Sequence, residues 1–169
     1  TLTVTADNGD MVYGDAVPTL GYTTSGWKNG QSGTLLTGVD VTTDATSLSN
    51  VGTSYVTTAT GGTLSGAASG NYALTYVQGD FAVTQATLTV TADNGDMVYG
   101  DAVPTLGYTT SGWKNGQSGT LLTGVDVTTD ATSLSNVGTS YVTTATGGTL
   151  SGAASGNYAL TYVQGDFAV

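Results

Sequence analysis

The sequence predicts a mainly β protein made of two identical small domains in tandem, and three observations predict it. Thr1 to Val83 recurs without a change as Thr87 to Val169, at an offset of 86. Thr and Val are heavily used and strong helix formers are scarce, which favours sheet over helix. Glycine, at 26 of 169 residues, falls between short apolar-alternating runs, as turns between strands require. A stretch of about 83 residues suffices for an independent domain with a modest core. The expected organisation is therefore a first domain over 1–83, a short stiff linker over 84–86 and a second domain over 87–169.

The elements follow in chain order, in the first copy's numbering. TLTVT alternates Leu2 and Val4 against Thr1, Thr3 and Thr5, the period-2 pattern of a strand with one buried face. DNGDMVYGDAVP, Asp7 to Pro18, reads as a turn, because Asn-Gly and Tyr-Gly-Asp supply positive φ and Asp or Asn side chains bond local backbone. Strands are expected over Thr19–Thr24, Val39–Thr43 and Thr53–Thr60. KNGQSGTLLTG, Lys28 to Gly38, contains Gly30 and Gly33, which limit any helix to a single turn or an irregular loop. NYALTYV alternates again, with Tyr72, Leu74 and Tyr76 on one side. The QGD that follows reads as a tight hairpin leading into FAV. The expected core is Leu2, Val4, Val12, Leu20, Tyr22, Leu35, Leu36, Val41, Tyr55, Leu74, Tyr76, Phe81 and Val83.

Composition narrows the function. The chain has no His, Cys or Glu, and its cations are Lys28 and Lys114 alone. Most side chains that serve as bases, nucleophiles or metal ligands are absent, so no enzyme and no cofactor is expected. Twelve Asp against two Lys give a net charge of −10, which argues against nucleic acid and against an anionic membrane surface. No apolar run approaches the roughly 20 residues of a membrane span. The chain opens at Thr1 and reads as an internal stretch of a longer protein. Its partners are then the neighbouring repeats of that protein. Isolated, it is expected to be a monomer, with some risk of strand exchange between identical copies. Copies that the chain enters and leaves at opposite ends would form a rod.

Several runs together resemble a known repeat: LTVTADN, VYGDAVPTLGY, SGWKNGQSGTLLTG, NVGTSYVTT and NYALTYVQGDFAVT. The resemblance is to the MBG domain of YGX type, found in tandem in large bacterial surface proteins and filamentous-haemagglutinin-like adhesins. It is carried most specifically by Tyr13, Gly14 and Pro18, by Asn50, Val51, Gly52 and Tyr55, and by Asn71, Tyr72, Tyr76, Gly79 and Val83. Ser54, inserted between Thr53 and Tyr55, departs from the usual Gly-x-Tyr spacing and bears on the local strand register. The resemblance implies an extracellular module at the bacterial cell surface that spaces or displays other domains and brings no catalytic residues. The expected topology is β-grasp-like with at most one short helix; an immunoglobulin-like sandwich is the alternative.

Two sets of candidate site residues remain. Asp7, Asn8, Asp10 and Asp15, with Asp93, Asn94, Asp96 and Asp101, are hard oxygen donors of the kind calcium takes. Their spacing matches neither the EF-hand nor the calcium β-helix repeat, and the turn reading is preferred. Tyr13, Trp27, Tyr99 and Trp113 would serve a carbohydrate- or surface-ligand-binding module if their rings were exposed. Lys28 stands in Trp-Lys-Asn-Gly, a solvated turn rather than the buried setting that an isopeptide crosslink needs.

Overall fold

A computed structural model describes all 169 residues, Thr1 to Val169. The chain divides into two compact units, Thr1–Thr84 and Gln85–Val169. The protein is mainly β, and no α-helix forms in either unit.

The first unit contains β1 (Leu2–Ala6), β2 (Gly9–Val12), β3 (Tyr22–Ser25), β4 (Leu36–Thr43), β5 (Gly52–Leu64), β6 (Leu74–Val77) and β7 (Gly79–Thr84). They form two sheets, ordered β3-β1-β6 and β2-β7-β5-β4. Each sheet has one parallel pair, β1 with β6 and β2 with β7, and the other pairs are antiparallel. Two 3-10 turns, Gly33–Leu35 and Gly66–Ala68, complete the unit. The first is the single turn expected between Lys28 and Gly38; the second has no counterpart among the expected elements.

Alternation places the core. Leu2, Val4 and Ala6 of β1 are buried while Thr3 and Thr5 are half-buried. Val4 and Ala6 meet Leu36 and Ala59 of the other sheet, with Tyr22, Trp27, Val39, Val41, Leu64 and Leu74 packed around them. Both sheets thus close on a shared interior. Much of that interior is small: Ala6, Ala45, Ala59 and Ala68 are buried.

Four expectations are corrected. Asp7 to Pro18 is not turn throughout, because Gly9–Val12 forms β2 and pairs in parallel with Gly79–Thr84. Its inward side carries Met11, so Val12 faces outward, 36% exposed, and leaves the expected core. Tyr76 leaves it too, at 43% exposure, with its hydroxyl donating to the Gly61 carbonyl. Finally, Gln78 to Asp80 is no hairpin, since β6 and β7 belong to different sheets. Gly79 shows why: a Cβ there would stand 2.5 Å from the Ala6 carbonyl oxygen and 2.6 Å from Thr57 Oγ1. The backbone is pressed into the seam between the sheets, and the chain crosses it at that point.

The spacing anomaly at Ser54 appears as a β-bulge. Gly52 faces Val83 and Tyr55 faces Phe81, so β5 carries one residue more than its partner over this step.

The second unit repeats the plan with β8 (Ala86–Ala92), β9 (Gly95–Asp96), β10 (Tyr108–Ser111), β11 (Leu122–Thr129), β12 (Tyr141–Leu150), β13 (Tyr158–Val163) and β14 (Gly165–Ala168). The sheets are β10-β8-β13 and β11-β12-β14-β9. Val90, Ala92, Leu122 and Ala145 form its main cluster, and Met97, Ala131 and Phe167 a second. The residues expected to be linker are mostly strand, for Thr84 ends β7 and Ala86 begins β8, leaving Gln85 between.

Candidate functional site

The acidic run disperses over three different settings. Asp7 and Asn8 lie in the two-residue connection after β1, Asp10 is an exposed residue of β2, and Asp15 closes the turn that follows it. Nowhere do three or more acidic side chains converge in a group fit for a metal ion. Asn8 is engaged with backbone instead, its Oδ1 accepting the Asp80 N–H at 2.8 Å. The Asp7 carbonyl accepts the hydroxyl of Thr57 at 2.7 Å, and the Asp7 N–H donates to the Gly21 carbonyl at 3.0 Å. Thr57 is fully buried in β5, so its hydroxyl ties the end of one sheet to the other. Asn94, Asp93 and Thr143 repeat these bonds in the second unit.

Tyr13, Gly14 and Asp15 form a tight turn, with the Asp15 N–H donating to the Val12 carbonyl at 3.0 Å. Gly14 has φ of +83°, the left-handed value that the third position of a type II turn demands. The Tyr13 N–H donates to the Thr84 carbonyl at 2.8 Å, continuing the parallel ladder past β2. In the second unit β9 ends at Asp96 and β14 at Ala168, and Tyr99 is 58% exposed.

The tryptophans are engaged rather than displayed. Trp27 is half-buried, its Nε1 donates to Thr24 Oγ1 at 2.9 Å, and its ring meets Tyr72 edge-on with centroids 5.3 Å apart. Trp113 is held in the same way by Thr110 and Tyr158. Of the aromatic candidates, Tyr13 shares its turn with Asp15, whereas Trp27 and Trp113 lie outside the acidic runs.

Sequence reading missed a pocket with convergent polar groups. It measures about 350 Å3 and is lined by Lys28, Asn29, Gln31, Ala67, Asn71 and Tyr72. The Tyr72 hydroxyl accepts the Lys28 N–H at 2.8 Å and donates to Gln31 Oε1 at 2.6 Å. Gln31 Nε2 and Asn71 Nδ2 both donate to the Ala67 carbonyl at 3.0 Å. Asn29 holds φ of +54° at the tip of the turn. Forty-one residues separate Gln31 from Tyr72, and no local spacing signals that they meet.

A profile of the MBG domain (YGX type) matches the chain twice, over residues 2–82 and 88–168. The chain belongs to this family. Each MBG repeat coincides with one of the two β units, and repeats of this family occur in surface proteins. No curated protein and no solved structure matches the chain. The Tyr-Gly step of the MBG repeat is the turn after β2 or its counterpart, and Gly79 of the same pattern sits in the seam between sheets. No helix is long and apolar enough to cross a membrane.

Proposed function

We propose that these two MBG repeats form a non-catalytic stalk or spacer segment of a bacterial cell-surface adhesin, outside the cell, that projects a binding domain. The observation that carries this reading is the joining of two identical, self-contained β units with a single residue, Gln85, outside the strands. Each copy has its own pair of sheets and its own core, and a short joint limits the freedom between copies. Membership of a family whose repeats occur in surface proteins supports the location. A surface of excess carboxylate suits a crowded array of like rods, which repel one another.

The same geometry weakens the ligand-binding alternative, because Trp27 and Trp113 are half-buried, with their indole N–H groups bonded to Thr24 and Thr110 and their rings packed against Tyr72 and Tyr158. Small-angle X-ray scattering of the whole chain tests the spacer. An elongated particle of fixed dimensions is expected; a compact or broadly distributed one would overturn the reading. Binding to a glycan array that disappears on Trp27→Ala and Trp113→Ala would favour the alternative.

A further inference from the structure

Each repeat contains the dipeptide Asn-Gly at two places, Asn8–Gly9 and Asn29–Gly30 in the first copy and Asn94–Gly95 and Asn115–Gly116 in the second. All four asparagines are exposed, so access to water does not distinguish them. Their backbones do. Asn29 and Asn115 have φ of +54° and +53°, and the glycines after them +69° and +70°. This is the hairpin-type turn that Asn-Gly favours. One backbone bond closes it, from the Gln31 N–H to the Lys28 carbonyl or from the Gln117 N–H to the Lys114 carbonyl, each at 3.0 Å. The feet of the turn are clamped, since the Lys28 N–H and Gln31 Oε1 both bond the Tyr72 hydroxyl, and Lys114 and Gln117 bond that of Tyr158. The tip is open: a Cβ on Gly30 or Gly116 would meet no atom within 4 Å.

Asn8 and Asn94 are built in. Their Oδ1 atoms accept the N–H of Asp80 and of Asp166 at 2.8 Å. Gly9 and Gly95 are strand residues paired with Phe81 and Phe167. A Cβ on either would stand 3.0 Å or less from the ring of that buried phenylalanine.

We propose that Asn29 and Asn115 are modification sites that convert spontaneously to aspartate and isoaspartate, while the fold protects Asn8 and Asn94. The Gly30 nitrogen sheds its proton to a base in solvent and attacks Asn29 Cγ. The new C–N bond closes a cyclic imide as the Cγ–Nδ2 bond breaks, and the amide nitrogen takes up a proton and leaves as ammonia. Water then opens the ring. Its addition at Cγ gives aspartate; its addition at the former backbone carbonyl routes the main chain through the side chain and lengthens it by one carbon. For the nitrogen to reach Cγ, the peptide between the two residues must turn away from its native setting. At Asn29 that movement breaks the bond closing one turn. At Asn8 it strips the side-chain bond and draws a glycine out of the ladder beside Phe81. The ease of local opening therefore sets the rate. Each conversion at the turn places a carboxylate beside the single lysine of its repeat. Isoaspartate also changes the span between the two residues clamped on the tyrosine. The inference concerns backbone settings shared by both copies and stands whether or not the repeats act as a spacer.

The test holds the full chain folded in warm, mildly alkaline buffer, in parallel with a sample unfolded in guanidinium chloride. Chymotryptic peptides are weighed and fragmented over time. Cleavage after Trp27 and Trp113 puts Asn29 and Asn115 on one class of peptide, and Asn8 and Asn94 fall on another. In the folded chain the first class should convert at least about tenfold faster than the second, and in denaturant the two should convert at similar rates. Equal rates in the folded chain, faster conversion at Asn8 and Asn94, or no conversion while the unfolded sample reacts would each overturn the proposal. A tenfold difference that persisted in denaturant would overturn the protection given to the fold and assign the selectivity to neighbouring sequence.

Discussion

At the scale of single residues, the bonds that matter most are those crossing the seam between the two sheets. Thr57 is fully buried and its hydroxyl serves the Asp7 carbonyl. Thr57→Val keeps the shape and removes the donor, so it should cost about 1 to 2 kcal/mol in urea unfolding of the first unit. Gly79 has no room for a side chain, with a backbone carbonyl 2.5 Å from where its Cβ would lie. Gly79→Ala should therefore destabilise by about 1 to 3 kcal/mol, seen as a lower denaturation midpoint. Thr57 does not stand out in the sequence, and Gly79 does so only as part of the family pattern, with no sign of what it contacts. A Thr among many Thr and a Gly among many Gly become distinct only when strands far apart in the chain meet. Asn8 is the partial exception: its type announced a local side-chain bond, but its partner, the Asp80 N–H, lies on another strand.

At the scale of elements, period-2 alternation is reliable where a strand is long enough to repeat it. It placed Leu2 and Val4 inward in the five-residue β1, but in the four-residue β6 it was right for Leu74 and wrong for Tyr76. It failed at β2, where four residues flanked by Asp and Gly look like a turn and where Met11 rather than Val12 takes the inner face. The bulge at Gly52 to Tyr55 was legible as an irregular spacing, because an inserted residue must be absorbed somewhere in the ladder. The polar pocket was illegible for the opposite reason, as its members come from two turns far apart in sequence. A further distortion sits towards the C-terminal end of β5, where Gly61 and Gly62 have φ of +73° and +98°. A Cβ on Gly62 would meet Val39 Cγ2 at 3.0 Å and Leu36 Cδ1 at 3.1 Å. Gly62→Ala combines backbone strain with crowding, and a loss of about 1 to 3 kcal/mol is expected in the first unit. Since the second unit keeps Gly148, thermal melting of this variant should separate into two steps.

At the scale of the whole molecule, twelve carboxylates against two ammonium groups make self-repulsion the main long-range term. Added sodium chloride should raise the melting temperature by screening it. Chelator should leave melting unchanged, because the Asp7 to Asp15 side chains are spread over a connection, a strand and a turn. A calcium-dependent rise beyond that of magnesium at equal ionic strength would assign a site to those residues instead. The repeat itself was the most legible feature of all, since it needs only comparison of the chain with itself.

In each unit the strands at the two ends of the chain are interior strands of their sheets. β1 lies between β3 and β6, and β7 between β2 and β5; β8 and β14 are placed likewise. A pull on the ends of a unit therefore meets a hydrogen-bonded neighbour on both sides of each strand it grips. Neither end can be peeled away as an edge strand could, and two ladders must give way together before any length is released. Under tension such a unit would hold its full extent and then fail all at once.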